Sequence, residues 1–159
     1  EDFGELAEIL GGTNTSRLYT ALVREDQLAA STGAWYQSGA IDTTRFIFYA
    51  TPRDGVDLDT LETRAREMIA DIAENGVTEH ELARAKTTVL ASVIFAQDSQ
   101  STLARIFGAA LTTGSTVEDV QEWPSRISAV TAQDVQNAAK AFLHGKGSVT
   151  GRLLPEDAA

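Results

Sequence analysis

Thr43-Thr44-Arg45-Phe46-Ile47-Phe48-Tyr49-Ala50-Thr51 runs straight into Pro52-Arg53-Asp54-Gly55. β-Branched and aromatic residues fill the run and a Pro/Gly cluster stops it, so it predicts a strand. Just upstream, Ala29 to Gln37 is built of small, β-branched and aromatic residues, closes on Trp35-Tyr36, and is followed by Ser38-Gly39-Ala40 as a turn. Two such runs joined by a short glycine-containing stretch read as an antiparallel pair.

The flanks of this pair are helical. Phe3, Leu6, Ile9 and Leu10 recur at helical spacing, Gly11-Gly12-Thr13-Asn14-Thr15 interrupts them, and Ser16 to about Glu25 resumes the period with Leu18 and Leu22 on one face. Downstream, Asp57 to Glu74 predicts a helix stopped by Asn75-Gly76. Thr78-Glu79-His80-Glu81 has the form of a capping box. It opens a long helix through Leu82, Ala85, Val89, Val93 and Phe95, continuing across Asp98-Ser99-Gln100-Ser101 to Leu111 and ending at Thr113-Gly114. Thr116 caps a short helix with Pro124 at a bend, and Thr131 caps another from Val135 to Phe142, closed by His144-Gly145-Lys146-Gly147. Ser148 to Leu154 predicts a last strand before Pro155. The order α-α-β-β-α-α-α-α-β is α+β, amphipathic helices packed on one face of a small antiparallel sheet. Residues 1–159 read as a single domain. The first helix has no start signal and the sheet is thin for so many helices, so the expectation is a truncated domain whose partner strands lie upstream or in another chain.

Composition narrows the chemistry. The 159 residues carry 13 Lys+Arg against 23 Asp+Glu, a net charge of −10, with no basic stripe, so neither nucleic acid nor an anionic membrane surface is an expected partner. With no cysteine there is no thiolate metal site and no thiol nucleophile. The two histidines, His80 and His144, fall in the first turn of one helix and the last turn of another, where solvation and the helix dipole account for them. No serine lies in a G-x-S-x-G pattern, and Gly11-Gly12 matches no phosphate loop. The acidic pairs Glu25-Asp26, Asp57 with Asp59, Glu118-Asp119 and Glu156-Asp157 sit at helix starts or in loops, where capping explains them. Arg24 closes a helix just before an extended segment, a position that suits either the helix dipole or a bound chain. From residue chemistry alone this is an α+β domain with no catalytic residue in the chain.

Gly11-Gly12-Thr13-Asn14-Thr15-Ser16-Arg17-Leu18-Tyr19, then Leu22-Val23-Arg24-Glu25 and Leu28-Ala29, resemble the C-terminal homologous domain of the insulinase/pitrilysin family of zinc metallopeptidases. Thr78-Glu79 with Glu81-Leu82 and Ala85-Lys86, Thr131-Ala132 with Asp134-Val135, and Ser148 to Pro155 extend the resemblance over essentially the whole chain. It implies the metallohydrolase fold of processing peptidases. It also implies an H-x-x-E-H zinc helix elsewhere, because this chain has no such motif and by itself is expected to bind no cofactor and cleave nothing. Zinc is expected in a zinc-bearing N-terminal domain or partner subunit, facing this one across a chamber in which peptide substrates lie beside a sheet edge.

The resemblance further implies that Arg24 binds substrate, together with a tyrosine on the next strand. Anchored on Leu28-Ala29, that tyrosine position holds Ala30, and Tyr36 lies six residues along, about 20 Å away. Two other readings stand beside the peptidase domain: a non-catalytic scaffold subunit of the same fold, resembling the core subunits of the respiratory cytochrome complex, and a stand-alone protein-interaction module. Free sheet edges leave room for a homo-oligomer. By analogy with bacterial relatives the expected location is periplasmic or otherwise exported.

Overall fold

The computed structural model describes residues 2–143 and 147–154. A helix α1 (Asp2–Ala7) widens into a π-helical turn, π1 (Glu8–Gly12), and after a loop a second π-helix, π2 (Tyr19–Glu25), leads into the hairpin β1 (Ala29–Gln37) and β2 (Arg45–Pro52). Five helices follow: α2 (Leu58–Asn75), α3 (Glu79–Gln97), α4 (Gln100–Thr112), α5 (Val117–Ala129) and α6 (Ala132–Phe142). The strands pair antiparallel, Ser31 opposite Thr51 through Gln37 opposite Arg45, with a bulge between Ala29 and Ser31.

The core lies between the inner face of the hairpin and the helices. Leu6, Ile9, Leu10, Leu18 and Leu22 are fully buried, each worth roughly 1.5–3 kcal/mol of transfer free energy. They meet Ile72 of α2 and Val135 and Ala139 of α6, with Phe46, Phe48 and Ala50 of β2 closing the sheet side. Phe3 stacks on Tyr36 and meets Phe142 edge-on, joining α1, β1 and α6.

The first helix runs through the glycines where the periodicity predicts a break. Its π turn brings Gly11 against β1, where a Cβ would lie 2.3 Å from the Ala34 backbone nitrogen. Only a residue without a side chain allows that approach, which is the physical meaning of the glycine pair. The predicted long helix divides instead into α3 and α4, because the Ser99 hydroxyl accepts from the Thr102 amide and caps a new helix. Pro124 sits inside α5, which continues past it to Ala129. Ser148 to Leu154 forms no strand. That segment is held by charge, Arg152 to Asp59 at 2.7 Å and to Glu62 at 2.7 Å, with the Thr150 hydroxyl also on Glu62. His144, Pro155 and the Glu156-Asp157 pair lie outside the described residues. Within those residues no helix is long and apolar enough to cross a membrane.

One carboxyl breaks the polarity pattern of the core. Glu5 is 0% exposed and neither of its oxygens finds a hydrogen bond among the described residues. Desolvation pushes its pKa up to about 7, with Lys86 opposing and Glu8 reinforcing the shift.

Candidate functional site

The corner between π2 and β1 is fastened on every side but one. Gln27 takes a left-handed φ of 52° to turn the chain, and the Asp26 amide donates to the Ala21 carbonyl. Arg53 reaches back from the end of β2, its guanidinium donating to the Ala29 and Val23 carbonyls and its amide to the Leu28 carbonyl. Arg64 of α2 closes on Asp26 at 2.7 Å. Arg24 stands on this corner, in the last turn of π2, exposed and with no hydrogen bond or ion pair among the described residues. A permanently charged guanidinium with five donors is thus presented to solvent from a rigid base.

Ala30 is the extra residue of the β-bulge, which leaves it unpaired and exposed. Simple alternation along β1 would put Tyr36, six residues on, on the same face as Ala30, but the bulge interrupts that alternation. Tyr36 turns inward onto Phe3 and its hydroxyl bonds Thr44, at the far end of the strand from Arg24. No tyrosine partner for Arg24 comes from Tyr36.

On the outer face of the hairpin, Trp35 and Tyr49 are about half exposed, with ring centroids 5.9 Å apart. Tyr49 lies flat across Gly33, where a Cβ would come within 2.7 Å of the ring. Sequence reasoning missed this pair; alternation in both strands combined with a glycine opposite a tyrosine was the available signal. Beside the corner an open cleft of about 650 Å3 is lined by Asp26, Leu28, Asp59, Thr60, Thr63, Arg64 and Glu67. Its arginine is already neutralised by Asp26 and Glu67, which leaves no free cation in the cleft.

A second arginine behaves in the opposite way. Arg17 donates from Nε and Nη2 to the two oxygens of Glu81 at 2.7 and 2.9 Å, from Nη1 to Asp71 at 2.9 Å, and from Nη2 to the Gly76 carbonyl. Glu81 is also the third residue of the α3 capping box. Hydrogen bonds from Arg17 above all, and from Thr78, hold its pKa down at about 2.

Among the described residues, no three His, Cys, Asp or Glu side chains come together in a way that fits a metal ion, and the sequence has no H-x-x-E-H. The described residues assemble no site that fits the family's zinc, and no chemical step is assigned to a metal on them.

Residues 3–89 match the family model for the peptidase M16 inactive domain. The chain belongs to that family. Over 148 residues it is 31% identical to an uncharacterized zinc protease of Streptomyces coelicolor, a match covering 92% of this chain and 32% of that protein. It therefore spans about a third of that curated relative's length. Its fold is that of the inactive peptidase domain of a Bordetella parapertussis protein, with a TM-score of 0.87 at 23% identity over 97% of this chain and 82% of that one. A chain of Complex III2 from Candida albicans shares the fold at a TM-score of 0.71 and 18% identity, over 86% of this chain and 34% of that one. M16 membership accounts for the insulinase-like run from Gly11 to Tyr19: Gly11 admits β1, and Arg17 ties the helix to α2 and α3.

Proposed function

We propose that this inactive domain forms the wall of a peptidase chamber and helps hold peptide substrates for a zinc-bearing domain in the rest of the protein. The observation that carries the reading is Arg24, an uncompensated guanidinium on a corner fastened by Arg53 and by the Arg64–Asp26 ion pair. A peptide carbonyl or carboxylate is the natural acceptor for those donors, and a charge fixed in place also stabilises negative charge developing on a carbonyl under attack. The unpaired, exposed residue of the bulge next to it leaves room for an extended chain. Ile94 and Phe95 on α3 remain 66% and 73% exposed, and no residue of α4 is buried, apolar surface that suits contact with a partner domain. Zinc belongs to that partner, and export to the periplasm or beyond is part of the same proposal.

The test is to express this domain and the zinc-bearing remainder separately and to measure peptidase activity and zinc content alone and mixed. Activity should appear or rise on mixing, with zinc in the other half, and Arg24→Ala should cut kcat/KM about tenfold or more without weakening association. No gain from associated halves overturns the proposal.

The fold shared with a Complex III2 chain supports a second reading, a scaffold subunit that performs no proteolysis. An H-x-x-E-H helix in the same gene separates the two, its presence favouring the peptidase.

A further inference from the structure

The register of the hairpin divides its residues cleanly. Tyr36, Phe46, Phe48 and Ala50 turn inward, whereas Ser31, Gly33, Trp35 and Gln37 share the outer face with Arg45, Ile47, Tyr49 and Thr51. At one end the Ser31 hydroxyl bonds that of Thr51, and at the other Arg45 donates twice to the Gln37 amide oxygen. Between them the Trp35–Tyr49 pair and Ile47 form an apolar strip, with Gly33 bare beneath the tyrosine ring.

Charge singles this face out. The chain holds 23 acidic residues, yet from Ala29 to Pro52 there is one, Asp42, and it lies in the connecting loop. Arg45 meets only a neutral amide, so its charge is uncompensated by any carboxylate among the described residues. The only charge on the face is therefore positive, in a molecule of net charge −10.

Size points to the occupant. At about 4.8 Å between strands and about 6.8 Å between alternate residues, eight positions cover roughly 260 Å2. By itself the hairpin face matches three or four residues of a bound peptide.

We infer that the outer face of the β1–β2 hairpin is a side-chain subsite, in which Trp35, Tyr49 and Ile47 receive a large apolar or aromatic residue of a bound peptide and Arg45 receives an acidic residue about two positions away. The inference rests on the reading of the domain as a substrate-holding wall and adds to it a substrate class.

The test uses the full-length protein with zinc removed by chelation, so that binding is read without turnover. The probe is a fluorescein-labelled octapeptide of Gly and Ser carrying one Phe and an Asp two residues from it, followed by fluorescence anisotropy. Replacing the Phe by Ala should weaken binding about tenfold. Trp35→Ala should abolish that difference by weakening the Phe peptide and leaving the Ala peptide within twofold, while Trp35→Phe keeps most of it. Arg45→Gln should weaken the Asp peptide roughly threefold and not its Asn counterpart. Circular-dichroism melts establish that each variant is folded, and Trp35→Phe carries the test if Trp35→Ala is not.

The inference is overturned if the wild type does not distinguish Phe from Ala, or if Trp35→Ala weakens both peptides equally. It is also overturned if Trp35→Ala loosens the two halves without changing the Phe/Ala ratio, which marks the face as a contact between domains. The mixing experiment judges the wall role independently, so the two ideas fail separately.

Discussion

Arg17 and Arg24 stand seven residues apart on one helical stretch and are opposites. The first is largely buried and gives every arm of its guanidinium to Glu81, Asp71 and the Gly76 carbonyl, while the second has no partner among the described residues. The local sequence treats them alike, since each is a cation in an amphipathic helix. The difference comes from what the fold brings opposite: the turn between α2 and α3 for one, open space beside a bulged strand for the other. A saturated arginine holds a structure together, whereas a free one on a rigid corner is available to bind.

The comparison breaks if the two respond alike to substitution. The largest effect should come from Arg17→Ala, which leaves the part-buried Glu81 without its counter-charge and should cost roughly 3 kcal/mol, a fall in melting temperature of about 10 °C by calorimetry. Next is Glu5, whose pKa of about 7 in the fold exceeds its ordinary 4.5. The folded state keeps that proton where the unfolded state has lost it, so stability is full below pH 4.5 and falls by about 3 kcal/mol as pH rises through 7. Glu5→Gln should flatten that limb in urea titrations between pH 5 and 8. Glu81 acts with the opposite sign, its stabilisation present above pH 4.5 and lost as pH falls towards 2, so the two together predict maximal stability under mildly acidic conditions.

Smaller effects sharpen the contrast. Arg17→Lys keeps the charge but loses the two-pronged grip on Glu81 and should cost about 1–2 kcal/mol. Arg24→Ala should move stability by less than about 0.5 kcal/mol while cutting the activity of the reconstituted enzyme, and a stability loss as large as that of Arg17→Ala would end the distinction.

Much of the fold is legible in the sequence because its signals are local. The hairpin follows from β-branched and aromatic runs with a stop at Pro52, and the starts of α3, α5 and α6 follow from Thr78, Thr116 and Thr131, each of which forms a capping box. What is missed depends on tertiary contact. Gly11 reads as a helix break until β1 is seen against it, and the bulge at Ala30 leaves no mark in composition. Ser148 to Leu154 has a strand-like sequence, but the charges of α2 hold it through Arg152 and Thr150 in place of a sheet edge. At the candidate site, the helix-end position and the resemblance pick out Arg24, whereas its isolation and the outer-face aromatic pair require the register of two strands.

The carboxylate of Glu81 serves two levels of structure at once. One of its oxygens accepts from the Thr78 amide, the Thr78 hydroxyl and Arg17 Nη2, and the other accepts from Arg17 Nε. Fraying of the first turn of α3 would therefore disturb the clamp on the first helical segment, and loosening that segment would uncap α3. Helix ends usually open alone and exchange their amide hydrogens quickly, but this one is tied to an element 64 positions away. The Thr78 and Glu81 amides should exchange together with those of residues 18–22, as one cooperative unit whose opening is set by the interior of the domain.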